Sequence, residues 1–240
     1  MSKFVLWVLL FLNTYAAPGR PQYLPDAIES KEDALARYEA IARDIEEVAK
    51  TETPLFKGPQ AQSRTASVLL SVMLFESGIR KDVDSGVGSQ ARGDGGRSWC
   101  MLQQNVGKGR TLAWNTVKNR PARAICKDGQ VSTTGVPCDP TAEVHPGWTG
   151  PELVADRKNC FRAGLRAMRL SFAACSRLPT ADWLRSYASG SCENGAEASS
   201  RRMNFAMRWF ANHKPEPDTV MFLTPVPLAP LAETPIALEN

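Results

Sequence analysis

The sequence has few long apolar segments, few histidines and no Cys-x-x-Cys pair. Beyond the first few residues, no uncharged apolar run approaches the ~18 to 20 residues that cross a bilayer, which excludes a multi-span membrane protein. The 29 basic and 25 acidic residues are scattered without a Lys/Arg block, so no nucleic-acid partner is predicted. The two histidines, His145 and His213, lie far from any second ligand at metal-site spacing, and we expect neither a metal nor a cofactor.

The composition that remains is typical of a globular protein. Of the 240 residues, 43% are hydrophobic and 22% are charged, which is enough apolar material for a sizeable core. The sustained alternation typical of strands is missing, whereas apolar residues recur at three- and four-residue intervals in several segments. The sequence therefore predicts a mainly α fold, with one helical domain over about residues 25–213.

Local signals predict where these helices begin and end. Ser30 and Asp33 make a capping box, and the helix that follows continues until Pro54. A second helix is predicted from about Gln60 to Ser77, with Gly78 in the stop position. Three more are predicted from Asp156 to about Arg177, around Trp183, Leu184 and Tyr187, and through Met203, Met207 and Phe210. Residues 82–98 hold five glycines and indicate a long functional loop.

The two ends of the chain differ from this domain. Residues 1–17 have the pattern of an export signal, with Lys3, an apolar run from Phe4 to Leu12, and small residues at Ala16 and Ala17. An uncleaved membrane anchor and a buried first helix are the alternatives. Residues 18–24 are expected to be a linker. The tail, residues 214–240, contains six of the 17 prolines and is predicted to be weakly structured.

The cysteines support export to the periplasm or the exterior. All six follow the apolar N-terminal run: Cys100, Cys126, Cys138, Cys160, Cys175 and Cys192. An even number of cysteines in an exported chain favours disulfides, although six cysteines allow 15 connectivities. Cys126 and Cys138 bracket a short polar loop, and closing such a loop contributes roughly 3 kcal/mol, so we predict this pair.

One acidic residue stands in an unusual place. Glu76 follows four apolar residues, Val72 to Phe75, at the end of the second predicted helix. Partial desolvation there, together with the negative end of the helix dipole, is expected to raise the pKa of its carboxyl group. A carboxyl group of that kind donates a proton at neutral pH. A solvated glutamate, or one paired with Arg80, is the alternative.

Four short segments in order resemble the motifs of the soluble lytic transglycosylases, which are relatives of goose-type lysozyme. The segments are Glu76-Ser77-Gly78, Ser98 to Gln103, Asn159 to Gly164, and Ser186 to Gly190. They resemble, respectively, the family's Glu-Ser pair closing a helix, its Gly-Leu-Met-Gln segment, its Asn-to-Gly helix start and its Ala-Tyr-Asn-x-Gly turn. The resemblance covers about residues 60–210 and implies a lysozyme-like helical fold.

The resemblance also implies a reaction and its residues. Glu76 would be the single acid and base that cleaves the bond between N-acetylmuramic acid and N-acetylglucosamine in peptidoglycan, leaving a 1,6-anhydro end. Gln103 would bind a sugar amide, and Tyr187 would steady the Glu76 carboxyl group or the transition state. Ser77, the partner in the Glu-Ser pair, is counted with the substrate-binding residues. The protein would act as a monomer, without nucleic acid, and would attach to a membrane only through an uncleaved N-terminus.

Three departures from the family pattern accompany this resemblance, one of which is an interval from Glu76 to Gln103 that is longer than in the simplest members. Cys100 stands where the family usually has glycine, and Ala188 stands where it often has asparagine. The proximity that the resemblance implies pairs Cys100 with Cys160, which would staple the second and third motifs together. It likewise pairs Cys175 with Cys192. The fold expected is thus a disulfide-stapled helical domain with a long glycine-rich loop.

Other interpretations start from other residues. Asp94 in the glycine-rich loop, or less favourably Asp82 or Asp84, would serve as the second carboxylate of a hydrolytic lysozyme, or Asp94 would bind sugar. A non-catalytic glycan-binding relative would use tryptophans as stacking platforms: Trp99, Trp114 and Trp148. A nucleic-acid binder would use the basic side chains Arg157, Lys158, Arg162, Arg166 and Arg169, which by their spacing are expected on the solvated face of one helix.

Overall fold

The structure is a computed structural model that describes residues 1–17, 24–107, 109–122 and 144–215. These residues form eight α-helices and five two-residue strands. The helices are α1 (Lys3–Tyr15), α2 (Lys31–Thr51), α3 (Ala61–Ser77), α4 (Lys81–Ser85), α5 (Gly150–Ala155), α6 (Arg157–Ala174), α7 (Arg185–Ser189) and α8 (Ala196–Asn212). The strands are β1 (Ser98–Trp99), β2 (Gln104–Asn105), β3 (Trp114–Asn115), β4 (Arg120–Pro121) and β5 (Val144–His145). The mainly α prediction is confirmed.

Helix α3 lies at the centre of the domain and packs against α1, α2, α6 and α8. Apolar side chains alone do not explain this burial, because serines occupy several of its buried positions. Their hydroxyl groups are satisfied by carbonyls: Ser67 donates to Ser63 at 3.0 Å, and Ser71 donates to Arg202 on α8 at 2.8 Å. A buried hydroxyl with a partner costs little, so α3 is buried nearly all round rather than along one stripe.

The helix caps follow the sequence signals. The Ser30 hydroxyl accepts from the Asp33 N–H at 3.0 Å and begins α2, and the Asp156 carboxylate caps α6. Helix α3 ends at Gly78, whose φ of 61° lies in the left-handed region that favours glycine. The predicted loop of residues 82–98 includes most of α4 and a 3₁₀ turn, Asp94–Gly96, so part of it is ordered into helical turns.

The basic face of α6 does not point into solvent as its spacing suggested. It packs against α2 and the residue that follows it: Arg157 donates to Asp44 on α2 at 2.7 Å, and Arg166 donates to Glu52, the C-cap of α2, at 3.2 Å. Arg157 also pairs with Asp84 at 2.8 and 3.0 Å. These charges therefore join two helices, and the solvated-face interpretation is wrong.

Residues 1–17 form a packed helix rather than a free N-terminal segment. The inner face of α1 is fully buried against α2 and α8, with Phe11 among the rings of Tyr15, Phe205 and Trp209. The indole N–H of Trp7 donates to the His213 carbonyl at the end of α8. This arrangement corresponds to the buried first helix, and cleavage of the segment stays a prediction. No helix among the described residues combines the length and apolar character needed to span a membrane.

Two disulfides are present in the described part of the chain, and both were predicted. Cys100 is bonded to Cys160, and Cys175 is bonded to Cys192. They tie the two ends of α6 to the β1–β2 hairpin and to the segment after α7. The predicted Cys126–Cys138 pair and nearly all of the predicted tail, from residue 216 onward, lie outside the described residues, as does most of the linker.

Candidate active site

A cleft of about 810 Å³ opens beside the C-terminal end of α3. Its walls come from the end of α3, the Gly93–Asp94 segment, the β1–β2 hairpin, helix α6 and helix α7. All four segments that carry the sequence resemblance contribute to it or pack directly behind it. Its lining includes Glu76, Asp94, Gln103, Gln104, Ala163, Arg166 and Tyr187.

Glu76 supplies a carboxyl group to this cleft from the last turn of α3. Its side chain is only 20% exposed, and its Oε1 accepts a hydrogen bond from Nη2 of Arg202 at 2.7 Å. Burial raises the pKa of Glu76 above the usual range, opposed by the charge and hydrogen bond of Arg202 and reinforced by the negative charge of Asp94. The predicted rise in its pKa is therefore present, while its ion-pair partner is Arg202 and not Arg80.

Tyr187 lies half-buried in the middle of α7, where it forms part of the cleft wall. Its hydroxyl donates to the Leu102 carbonyl at 2.7 Å and accepts from Nε2 of Gln104 at 2.9 Å. Burial, and then the nearby Glu76 charge, raise the pKa of Tyr187 well above its usual value, so the phenol stays protonated. The two hydrogen bonds of this hydroxyl group hold the hairpin beside Glu76.

Gln103 lines the cleft, but its amide is used within the protein. Its Oε1 accepts from the Gly93 N–H at 3.0 Å, and its Nε2 donates to the Cys100 carbonyl at 3.1 Å. This side chain therefore closes the hairpin turn and fastens it to the glycine-rich segment. The neighbouring Gln104 reaches Tyr187, a contact that the sequence motif did not indicate.

Cys100 occupies a position in the hairpin turn that favours glycine. The φ of Cys100 is 58°, in the left-handed region that residues with a side chain rarely adopt. The disulfide to Cys160 holds this turn against α6. Behind it, a Cβ atom on Gly164 would lie 2.2 Å from Cδ1 of Leu102, so any larger residue there would force the Leu102 side chain to shift.

The predicted carboxylates of the loop separate into two groups. Asp94 lines the same cleft as Glu76, and its Oδ2 accepts from the Ser98 hydroxyl at 2.5 Å. Asp82 is buried in a pair with Arg80, with distances of 2.9 and 3.0 Å, and Asp84 is committed to Arg157. Among the three, only Asp94 is placed to meet a ligand in the cleft.

Of Ser77 and the three candidate tryptophans, only Trp148 lines the cleft. The Ser77 hydroxyl is buried, donates to the Met73 carbonyl at 2.8 Å and accepts from the Ile79 N–H at 3.2 Å. It thus closes the end of α3 rather than facing the cleft. Trp114 is buried, and its indole N–H donates to Asn119 at 3.1 Å. Trp148 lines the cleft, whereas Trp99 lies beneath the guanidinium group of Arg92.

Sequence reasoning missed Arg202, which contacts the central carboxyl group. Its only local signal is its place beside Met203, at the edge of the buried face of α8. Within the described ranges, no three His, Cys, Asp or Glu side chains come close enough together to hold a metal ion. Comparisons with protein-family models, curated proteins and solved structures found no match for the chain.

Proposed function

We propose that this protein is a lytic transglycosylase that cleaves the glycan strands of peptidoglycan. One observation carries the proposal: Glu76 offers a largely buried carboxyl group with a raised pKa to a cleft of about 810 Å³. A general acid works best when its pKa lies near the working pH, and partial desolvation moves a carboxyl group in that direction. The order of the four segments around this cleft supports the resemblance to the family.

The reaction needs one acid that later acts as a base. Protonated Glu76 gives its proton to the oxygen of the glycosidic bond, and the bond from that oxygen to the anomeric carbon breaks. The resulting carboxylate then takes the proton from the 6-hydroxyl group of the same sugar, as the hydroxyl oxygen bonds to the anomeric carbon. Water takes no part, the product carries a 1,6-anhydro ring, and Glu76 regains its proton.

The surroundings of Glu76 support this use of a single carboxyl group. The Tyr187 phenol stays neutral beside it and fixes the hairpin through Leu102 and Gln104. The two disulfides are suited to an oxidising compartment, in agreement with an exported enzyme that meets the cell wall. Gln103 supports the shape of the cleft through its two internal hydrogen bonds.

A hydrolytic lysozyme is the second candidate, and Asp94 favours it. Its carboxylate lines the same cleft, and its negative charge adds, after burial, to the raised pKa of Glu76. In this mechanism Asp94 acts as the second carboxylate, either activating water or attacking the anomeric carbon. The products then carry ordinary reducing ends.

Product analysis and two isosteric variants decide between these reactions. Purified protein is incubated with isolated cell-wall sacculi, and mass spectrometry identifies the ends of the released fragments. Glu76→Gln is expected to lower the cleavage rate by about 10²- to 10⁴-fold, because glutamine can neither donate nor recover the proton. Glu39→Gln, at an exposed glutamate on α2, is the control and should cleave normally.

Asp94→Asn separates the two mechanisms. A rate within a few-fold of wild type, with 1,6-anhydro ends, supports the transglycosylase. Abolished cleavage and reducing ends in the wild-type products would support the lysozyme instead. Full activity in Glu76→Gln would contradict both and remove the enzymatic proposal.

A further inference from the structure

Arg202 reaches Glu76 from the side of α8, behind the cleft. Its side chain is 14% exposed and does not line the cleft. Nη2 donates to Glu76 Oε1 at 2.7 Å, while Nη1 donates to the Ala198 carbonyl one turn earlier, at 3.0 Å. The Arg202 carbonyl also accepts from Ser71 on α3 at 2.8 Å. Both its backbone and its guanidinium group are therefore fixed relative to α3.

This contact makes the two oxygens of the Glu76 carboxyl group different. Oε1 is held by Arg202, whereas Oε2 has no hydrogen-bond partner within the described part of the chain. Because Glu76 lines the cleft and Arg202 stands behind it, Oε2 is the oxygen left to a ligand. A proton that passes between Glu76 and a substrate would travel through this oxygen.

We propose that Arg202 is a positioning residue that anchors Oε1 of Glu76 and leaves Oε2 to exchange the proton with the glycan. This inference rests on the proposed function and names a residue that supports both of its steps. After the first step Glu76 carries a negative charge, and the guanidinium group compensates that charge where it forms. Fixing one oxygen also keeps the other aimed at the same place when it acts as a base.

The charges around Glu76 define what removal of Arg202 should do. Arg202 on α8 lowers the pKa of Glu76, while burial and Asp94 on the opposite segment raise it. Tyr187 on α7 faces the same group as a neutral phenol. Without Arg202 the two raising effects stand unopposed, so the Glu76 carboxyl group should hold its proton to higher pH.

The decisive measurement is the titration of Glu76 by carbon-13 NMR of protein labelled at the glutamate side-chain carboxyl. The Glu76 signal is identified as the one missing from Glu76→Gln. In Arg202→Gln its midpoint should move to higher pH by more than one unit. Arg201→Gln is the matched control, since it removes the same charge from the adjacent position, where the guanidinium lies 4.8 Å from the Phe75 ring. Its midpoint should remain within a few tenths of a unit.

Kinetics on sacculi provide the second measurement. Arg202→Gln should lower kcat by about 10²-fold, the effect of a misplaced reacting group, and should leave KM within about twofold. The alkaline limb of its pH profile should move upward with the titration. Arg202→Lys keeps a cation but not the paired donors, and should recover part of kcat; if Arg202→Gln fails to fold, this variant carries the comparison.

The outcomes distinguish failure of this inference from failure of the proposed function. An unchanged Glu76 midpoint in Arg202→Gln, or a lower kcat with an unmoved pH profile, overturns the positioning role. Wild-type protein that leaves sacculi intact overturns the proposed function, and it does so without reference to the titration. A shifted midpoint together with a fall in kcat supports the role of Arg202.

Discussion

Substitution of Phe11 tests whether α1 is part of the folded domain. The side chain of Phe11 is 0% exposed, and its ring lies 5.0 Å from Tyr15, 5.2 Å from Trp209 and 6.0 Å from Phe205, measured between ring centroids. Truncation of a buried phenylalanine to alanine costs about 3–5 kcal/mol. For a domain of this size, 1 kcal/mol corresponds to roughly 2–4 °C in Tm, so Phe11→Ala should lower Tm by about 10 °C.

The same helix offers a matched control. Leu10 is the next residue along the chain but is 48% exposed, and alanine is as good a helix former as leucine. Leu10→Ala should therefore change the free energy of unfolding by less than about 0.5 kcal/mol. Both variants are prepared as the full chain, with the N-terminus verified by intact mass, and are melted while circular dichroism is recorded.

The two variants separate two views of the N-terminal segment. A large difference in Tm between Phe11→Ala and Leu10→Ala supports a helix packed on α2 and α8. Equal melting of both variants and the wild type would refute the packing and favour a segment that serves only in export. Intact mass of protein secreted by a host then reports whether about the first 17 residues are removed.

Two further substitutions test how the hairpin meets α6. Gly164→Ala should destabilise the protein by about 1–3 kcal/mol in urea unfolding, because the added methyl group would lie 2.2 Å from Leu102 Cδ1; unchanged stability would show that the contact is looser. In a Cys160→Ala background, Cys100→Gly should be more stable than Cys100→Ala by about 1 kcal/mol, since only glycine adopts a φ of 58° without strain. Equal midpoints of the two double variants would contradict that explanation.

The helices were predictable wherever a local signal fixed them. The Ser30 cap of α2 and the Gly78 stop of α3 lie where sequence alone put them, and α6 begins one residue after the predicted start at Asp156. These signals act within one helical turn, so they need no knowledge of the rest of the fold. Helix α5 was missed although Thr149 and Glu152 form a capping box, because six residues are too few to show a periodic pattern.

Packing between distant segments was harder to predict. The five basic residues of α6 have the spacing of a solvated face. Nothing local indicates that four of them meet acidic side chains of α2 and its C-cap, or that Arg169 donates to Asn119 and the Thr53 carbonyl. The serines of α3 similarly give no indication in the sequence that this helix is buried nearly all round. Two-residue strands such as β1 and β2 are too short for any alternation to appear.

In the candidate site, too, residues with a local signal were predicted and a contact between distant segments was not. Glu76, Tyr187 and Asp94 were found from motifs and loop composition, and they line one cleft. Arg202 was not found, because its contact with Glu76 joins residues 126 positions apart and depends on how α8 packs against α3. The roles of Gln103 and Gln104 could not be separated either, since the backbone of the hairpin turn decides which amide points towards Tyr187.

Both described disulfides end on α6, and this sets an order for the maturation of the protein. Cys160 lies in the first turn of α6 and Cys175 caps its end, so one helix carries the covalent links to the hairpin and to the segment after α7. Before oxidation, these parts are held to α6 by noncovalent contacts alone. The cleft is therefore expected to become fully rigid only after the chain has left a reducing compartment. Under the proposed function, the site would then be completed only where the protein meets the cell wall.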